Sequence, residues 1–345
     1  MKALTYHAAK DIRFESIPDA KITAPHAALV RVKACAICGS DLHIYQGHGF
    51  SDDVGFCVGH EAVGEIVEIG SNVESLRVGD QVMISAAVGC GLCPPCRAGD
   101  CTRCQRDATA CYGLSHKLPG CQAEAVVVPH ADQNAAIIPE GLSHEQALML
   151  TDNLPTAYLG ATNANIRPGG TVAVVGLGPI GLMAVEIAFA LGAARVFAVD
   201  LVQERRAMAE RLGAIALQPG DERAIMKELT GGRFAESVVE AVGADATLKV
   251  ALSLAGKQAT VSTIGVNQTK QFPFPMALAF NRGLTFRTSL CSVVKHWPEL
   301  VPMVRSGRLK PQQFISHRMP LADGAEAYAL FNDRRDGAMK MVLTV

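Results

Sequence analysis

Apolar positions fall into two rhythms along this chain. From residue 1 to about 150, short runs rich in β-branched residues alternate with glycine-containing breaks, as at Ala28 to Val32, Ala62 to Ile69, Gln81 to Ser85 and Ala123 to Val128. Runs of this length and spacing predict the strands of a β-barrel rather than βαβ units. After Pro168 the rhythm changes. Thr171 to Val175 reads as a buried strand, Pro179 to Leu191 as a helix and Arg195 to Val199 as a second strand. Further strands are expected at Ala214 to Leu217, Ser237 to Glu240, Ala259 to Ile264 and Leu284 to Ser289, with helical stretches between them. Six strands alternating with helices predict an α/β fold with a doubly wound parallel sheet.

The tail from about Val294 is mixed. It predicts a helix at His296 to Ser306, a strand near Phe314 to Met319 and a helix near Ala322 to Phe331. That is too little chain for a separate core, so the tail is expected to rejoin the first domain. The organisation read from the pattern is a split domain, 1–153 and 294–345, with a parallel-sheet domain, 154–293, inserted into it.

Composition narrows the classes. A length of 345 residues suits two domains, and 49% hydrophobic residues exclude a mainly disordered chain. Lys plus Arg is 32 against 33 for Asp plus Glu, so no general attraction for nucleic acid is expected. No apolar run reaches the length of a membrane span, and the first twenty residues lack the apolar stretch of a secretory leader; a cytoplasmic location is expected. Eleven cysteines, four of them tightly clustered, then read as metal ligands rather than disulfides.

Gly176-Leu177-Gly178-Pro179-Ile180-Gly181 follows one predicted strand and opens a helix, and the next strand ends at Asp200. This is the Rossmann dinucleotide fingerprint. The first glycine permits a tight turn, the second admits the pyrophosphate to the backbone and the third lets the helix pack closely, while the helix N-terminus favours phosphate charge. Asp200 is placed to accept from the adenosine ribose hydroxyls and to repel a 2′-phosphate, which selects NAD over NADP. Arg205, early in the following helix, either touches the same ribose or is a solvated charge.

Cys90, Cys93, Cys96 and Cys104 read C-x2-C-x2-C-x7-C among turn-forming Gly89, Gly91, Pro94, Pro95 and Gly99. Four thiolates so close in sequence can enclose one tetrahedral Zn²⁺ and shut out substrate, the mark of a structural site. Cys101 lies in the same lobe and competes with Cys104 for the fourth place. Elsewhere, Cys38-Gly39-Ser40-Asp41-Leu42-His43 precedes Gly59-His60-Glu61, which opens a GHE-x2-G-x5-G run. A thiolate, an imidazole and a carboxylate from separate segments make a mixed set of the kind that leaves a coordination position open for chemistry.

These motifs, in this order and over nearly the whole length, resemble the zinc-containing medium-chain dehydrogenase/reductase family of alcohol dehydrogenases. The resemblance implies a GroES-like barrel as the split catalytic domain and a Rossmann domain for NAD. It implies a catalytic zinc held by Cys38, His60 and Asp152. Asp152 stands where animal alcohol dehydrogenases carry cysteine and is similar to bacterial secondary-alcohol and formaldehyde dehydrogenases; the stretch Leu148 to Tyr158 resembles the latter especially. Glu61 either joins the metal transiently or supports a ligand from behind. Ser40 and His43 match the family's proton relay, which runs from the alcohol through the nicotinamide ribose to solvent. Thr156 matches the position that packs on the nicotinamide; Val266, which follows the Gly265 turn at the end of a predicted strand, is expected to lend backbone to the carboxamide.

The expected activity is therefore hydride transfer between a primary or secondary alcohol and NAD, in a protein with two zinc ions per chain. Formaldehyde dehydrogenase or dismutase chemistry and polyol oxidation are the alternatives within the family, and a noncatalytic NAD- or zinc-binding module is the alternative outside it. Cys57, Tyr112, Leu290 and Cys291 are the expected pocket lining, and Lys295 stands near where relatives place an arginine for the pyrophosphate. A homo-oligomer, dimer or tetramer, is expected by sheet extension at the end of the cofactor domain, with the homotetramer suggested by bacterial relatives.

Overall fold

The structure, a computed structural model, describes residues 1–106 and 110–345. Contacts divide it into two units, Met1–Pro155 with Cys291–Val345, and Thr156–Leu290. No helix among the described residues is long and apolar enough to cross a membrane.

The first unit is built on the ten-residue strand Ala28–Ile37. Val30, Val32 and Ala34 point inward while Arg31 stays exposed, so period-two alternation carries the strand past Val32, five residues beyond its predicted end. One edge pairs antiparallel with Glu61–Ile69; the other is shared by Ala125–Val128 and the C-terminal strand Met341–Thr344. Gln81–Ile84 and Ala135–Ile137 extend the sheet on one side, and His317–Pro320 on the other. A second sheet places Lys2–Ala8 between Asp11–Ser16 and Phe56–Cys57. Leu4, Ile37, Ile66, Ile84, Phe331 and Leu343 meet in one core drawn from both ends of the chain. The tail thus completes the barrel sheet. Its helix spans Val293–Arg305, and the indole of buried Trp297 donates to Leu150 O at 2.8 Å, pinning the segment that leads to Asp152.

Tail boundaries differ from expectation in three elements, the helix expected from His296 starting already at Val293. Pro311–Phe314 is a 3₁₀ turn, so the strand predicted near Phe314 to Met319 begins only at His317. The last helix, expected from Ala322, starts at Gly324 after a 3₁₀ turn at Leu321–Asp323.

The second unit is a six-stranded parallel sheet. Its strands are β1 (Thr171–Val175), β2 (Arg195–Val199), β3 (Ile215–Leu217), β4 (Ala235–Glu240), β5 (Ala255–Thr263) and β6 (Thr285–Thr288). Their order is β3-β2-β1-β4-β5-β6. Val172 to Val175 and Val196 to Val199 are buried, as strands covered on both faces require. The order reverses between β1 and β4, and open α/β sheets take ligands at the carboxyl ends of strands flanking such a reversal. Strand β5 starts four residues before the predicted Ala259.

Candidate active site

Cys38 follows the long barrel strand and enters a tight turn into the helix Asp41–Tyr45. Asp41 closes that turn: its fully buried carboxylate accepts from Cys38 N–H at 2.9 Å. Its other oxygen lies 3.1 Å from His60 Nδ1, an ionic contact outside hydrogen-bond geometry, while His60 Nε2 faces Ser40 and Asp152. His60 Nε2 lies 3.7 Å from Asp152 Oδ2, and Cys38 Sγ lies 3.3 Å from the same oxygen. Donor atoms of Cys38, His60, Glu61 and Asp152 all lie within 4.8 Å of one another.

This spacing fits zinc. With Zn–S near 2.3 Å and Zn–N or Zn–O near 2.1 Å, tetrahedral ligands sit roughly 3.4–3.6 Å apart. The charges agree. Burial pushes the His60 ring pKa down, yet the Asp41 carboxylate and other nearby anions carry it well above the ordinary range. Burial raises Asp152, but the hydrogen bond and charge of His60 outweigh it and hold the carboxyl at about 2. A cradle that stabilises a cation so strongly is one in which a metal ion can replace a proton.

Asn153 and Lys340 complete the surroundings. Asn153 Nδ2 lies 2.9 Å from Glu61 Oε1, 2.9 Å from Asp152 Oδ2 and 3.6 Å from Cys38 Sγ. Lys340, fully buried, binds both Glu61 oxygens and Ile37 O. Ser40 Oγ lies 3.3 Å from His60 Nε2, so its hydroxyl stands beside the cluster. His43 is half-buried on the helix with its ring edge-on to Phe50 at 6.4 Å. Burial, then the charge of His48, lowers its pKa.

A cavity of about 170 Å³ adjoins the cluster, lined by Phe50, Cys111, Leu114, Ser115, Lys117 and Leu118 among others. Cys111 links the two: burial first, and then the charges of His60 and Asp152 among others, act on its thiol, which stands at about 12. None of the four residues expected to line a pocket lies along this cavity. Tyr112 is fully buried with its hydroxyl on Val127 O, and the Cys57 thiol donates to Gly120 O at 3.3 Å inside the core. Leu290 is 69% exposed, and Cys291 is partly exposed.

In the lobe, Cys90, Cys93, Cys96 and Cys104 gather, with Cys93 and Cys104 sulfurs 4.0 Å apart. Backbone N–H groups of Leu92 and Cys93 point at Cys90 Sγ, and that of Gln105 at Cys93 Sγ, all at 3.4 Å. Such N–H groups favour thiolates, and the Gln105 bond heads the causes that lower Cys93 to about 6. Cys101 turns away and meets Ser292, its N–H 3.0 Å and its sulfur 3.2 Å from Ser292 Oγ. The exposed Lys295 lays its stem beside Gly99 of the lobe.

In the second unit, Gly176 turns at φ +89° and Pro179 opens the helix Pro179–Ala190. A Cβ on Gly181 would fall 1.8 Å from Gly176 O, while one on Gly178 would meet nothing within 4 Å. Close packing thus demands the third glycine, and the second faces space that a phosphate can enter. Ile180 is the second residue of this helix. Asp200 accepts from Leu177 N–H at 2.7 Å and Val202 N–H at 2.8 Å, which ties the acid to the glycine turn. Arg205 Nη1 lies 4.0 Å from Asp200 Oδ2, and the neighbouring Arg206 caps Asp200 O. Val266 abuts Gly243, and Thr156 is partly exposed on the helix Asn153–Asn163.

Residues 24–140 match the alcohol dehydrogenase GroES-like domain model and residues 179–306 the zinc-binding dehydrogenase model. The chain is 40% identical to a probable zinc-binding alcohol dehydrogenase of Mycobacterium tuberculosis, over 99% of this chain and 88% of that one. Its fold is similar to that of an alcohol dehydrogenase from Thermus sp. ATN1, with TM-score 0.94 and 36% identity across 100% of both chains. A zinc-dependent alcohol dehydrogenase from Streptococcus pneumonia, solved in the apo form, gives TM-score 0.91 and 32% identity over 100% of this chain and 98% of that one. The chain belongs to the zinc-containing medium-chain dehydrogenase family. It is an α/β protein with a Rossmann-like parallel sheet and a GroES-like domain.

Sequence reasoning missed Asp41, Asn153 and Lys340 as parts of this site. The first two adjoin the Ser40 and Asp152 already singled out and were within reach; Lys340 carried no local signal.

Proposed function

We propose that this protein is a zinc-dependent alcohol dehydrogenase moving hydride between a primary or secondary alcohol and NAD, with Cys38, His60 and Asp152 holding a catalytic zinc and Cys90, Cys93, Cys96 and Cys104 a structural one. The observation that carries this is the convergence of one thiol, one imidazole and one carboxylate on a common point with the Ser40 hydroxyl beside it. Zinc held there would supply Lewis acidity that eases loss of the alcohol proton, and bound NAD would supply the hydride acceptor. Ser40 Oγ receives that proton and His43 passes it to solvent, its lowered pKa keeping the ring neutral at pH 7. Asp41 orients His60, and Glu61, held by Lys340, backs the ligands from behind.

Gly176, Gly178, Pro179, Ile180 and Gly181 cradle the pyrophosphate, Asp200 with Arg205 takes the adenosine ribose and so selects NAD, and Thr156 and Val266 frame the nicotinamide. At about 170 Å³ the cavity beside Cys111 is close to the cavity of roughly 150 Å³ that takes benzene in a protein core, and its mixed lining of Phe50, Leu114 and Leu118 with Ser115 and Lys117 suits a compact alcohol. An oligomer formed at the β6 edge is part of this reading. All four β6 residues are exposed, as are Phe280 and Met276 nearby, and such an edge invites a second copy.

The test is a panel of primary, secondary and polyhydric alcohols with NAD and NADP side by side. A compact mono-alcohol oxidised with NAD as the better cofactor supports the proposal. Preference for polyols, or conversion of formaldehyde to methanol and formate without added cofactor, overturns it.

A further inference from the structure

Glu240 is the last residue of β4, at the strand end where the sheet order reverses. Its backbone pairs with Val175, which precedes Gly176, and with Thr263, which leads to Gly265 and Val266. The side chain is fully buried. A buried carboxylate is costly unless several donors meet it, and here four do. Oε1 accepts from Val242 N–H and Gly243 N–H, both at 2.9 Å, and from the Thr247 hydroxyl at 2.7 Å. Oε2 accepts from the Thr263 hydroxyl at 2.6 Å. One side chain thus binds the turn after β4, the helix Asp245–Leu254 and the end of β5.

The turn it shapes touches the residues assigned to the cofactor on both sides. A Cβ on Gly176 would fall 2.2 Å from Val242 Cγ2, and one on Gly243 would fall 2.2 Å from Val266 O. There is no slack in either direction. A shift of the Val242–Gly243 turn displaces the glycine turn or the Gly265–Val266 backbone.

We propose that Glu240 is a positioning residue for the dinucleotide, holding the Val242–Gly243 turn against Gly176 and Val266 and so setting affinity for NAD. This rests on the cofactor reading above. Four donors converging on one buried side chain suit a clamp that must not yield when a charged ligand arrives.

The experiment measures NADH affinity by fluorescence titration, with kcat and KM for NAD and zinc content, in the full-length zinc-loaded protein. Glu240→Ala leaves two backbone donors without their acceptor, and its Kd for NADH is expected to rise about tenfold or more while kcat at saturating NAD and zinc content stay within about threefold. Glu240→Gln keeps an oxygen for Val242, Gly243 and Thr247 and offers its amide to Thr263 Oγ, so affinity returns to within about threefold of the parent. Thr263→Val removes one donor and weakens binding by about two- to fivefold. Parent-like affinity in a folded Glu240→Ala protein overturns the proposal, as does a fall in kcat with affinity unchanged. If Glu240→Ala does not fold, Thr263→Val decides: weakened binding supports the clamp and parent-like binding overturns it. Failure of the parent protein itself to bind NADH would overturn the cofactor reading, a separate outcome.

Discussion

Lys340 and Glu61 form an ion pair with no exposed side-chain surface, Nζ lying 2.6 Å from Oε1 and 2.8 Å from Oε2. The pair joins the C-terminal strand to the start of Glu61–Ile69, directly behind His60. Burial raises the Glu61 carboxyl although the Lys340 charge opposes it; burial also works against the Lys340 ammonium, but the Glu61 charge outweighs it and holds that pKa above its ordinary value. Lys340→Met strands a carboxylate in the core and should destabilise the first unit by about 3–5 kcal/mol. Adding Glu61→Gln should recover much of that loss in denaturant unfolding. Equal stability of the single variant and the parent would refute the account of the pair.

His43 predicts a pH profile. Burial lowers its pKa below the ordinary 6.5, so the fraction of neutral, proton-accepting ring declines only as pH falls through that lowered value. Alcohol oxidation should hold its rate down to pH 6.5 and lose it below. His43→Ala should slow oxidation roughly 100-fold at neutral pH and change the acid limb. An unchanged limb would remove His43 from the relay.

Asp200 predicts cofactor choice. Its two oxygens accept from Leu177 N–H and Val202 N–H respectively, so Asp200→Asn keeps one of the two acceptors while losing the charge that repels a 2′-phosphate. The ratio of kcat/KM for NAD over NADP should fall by about tenfold or more. Arg205, 4.0 Å away, should then attract the phosphate. A ratio unaffected by the change would mean the acid does not select the cofactor.

The lobe predicts a contrast between two cysteines. Cys96→Ser should lower bound zinc by one ion per chain and reduce thermal stability, whereas Cys101→Ser should leave zinc content unchanged, since that sulfur faces Ser292. Zinc analysis of the two purified variants separates them. Loss of zinc from the Cys101 variant would reassign the fourth ligand.

What was legible in the sequence follows from how local each feature is. The lobe cysteines lie within one short loop, and the glycine turn with its strands occupies one βαβ unit, so spacing alone showed both. Asp152 came only through family resemblance, because nothing around it marks an aspartate that must travel to Cys38. Lys340 was out of reach. It contacts Ile37 across 303 positions of chain, and in the sequence it looks like an ordinary surface charge at the mouth of a short strand. Tyr112 shows the opposite failure: it was expected to line a pocket, but its ring fills the barrel core and the hydroxyl is spent on Val127 O. The first hairpin, Lys2–Ala8 with Asp11–Ser16, escaped because its polar residues mask the alternation.

The most direct test of the central claim, that Cys38, His60 and Asp152 form a zinc site at which alcohol is oxidised, is alcohol-dependent reduction of NAD followed through chelation and zinc replacement. The rate should fall as the catalytic zinc is removed and return when zinc is restored, with Asp152→Ala showing neither the activity nor its recovery. Undiminished alcohol oxidation by protein shown to lack zinc at this site would contradict the account.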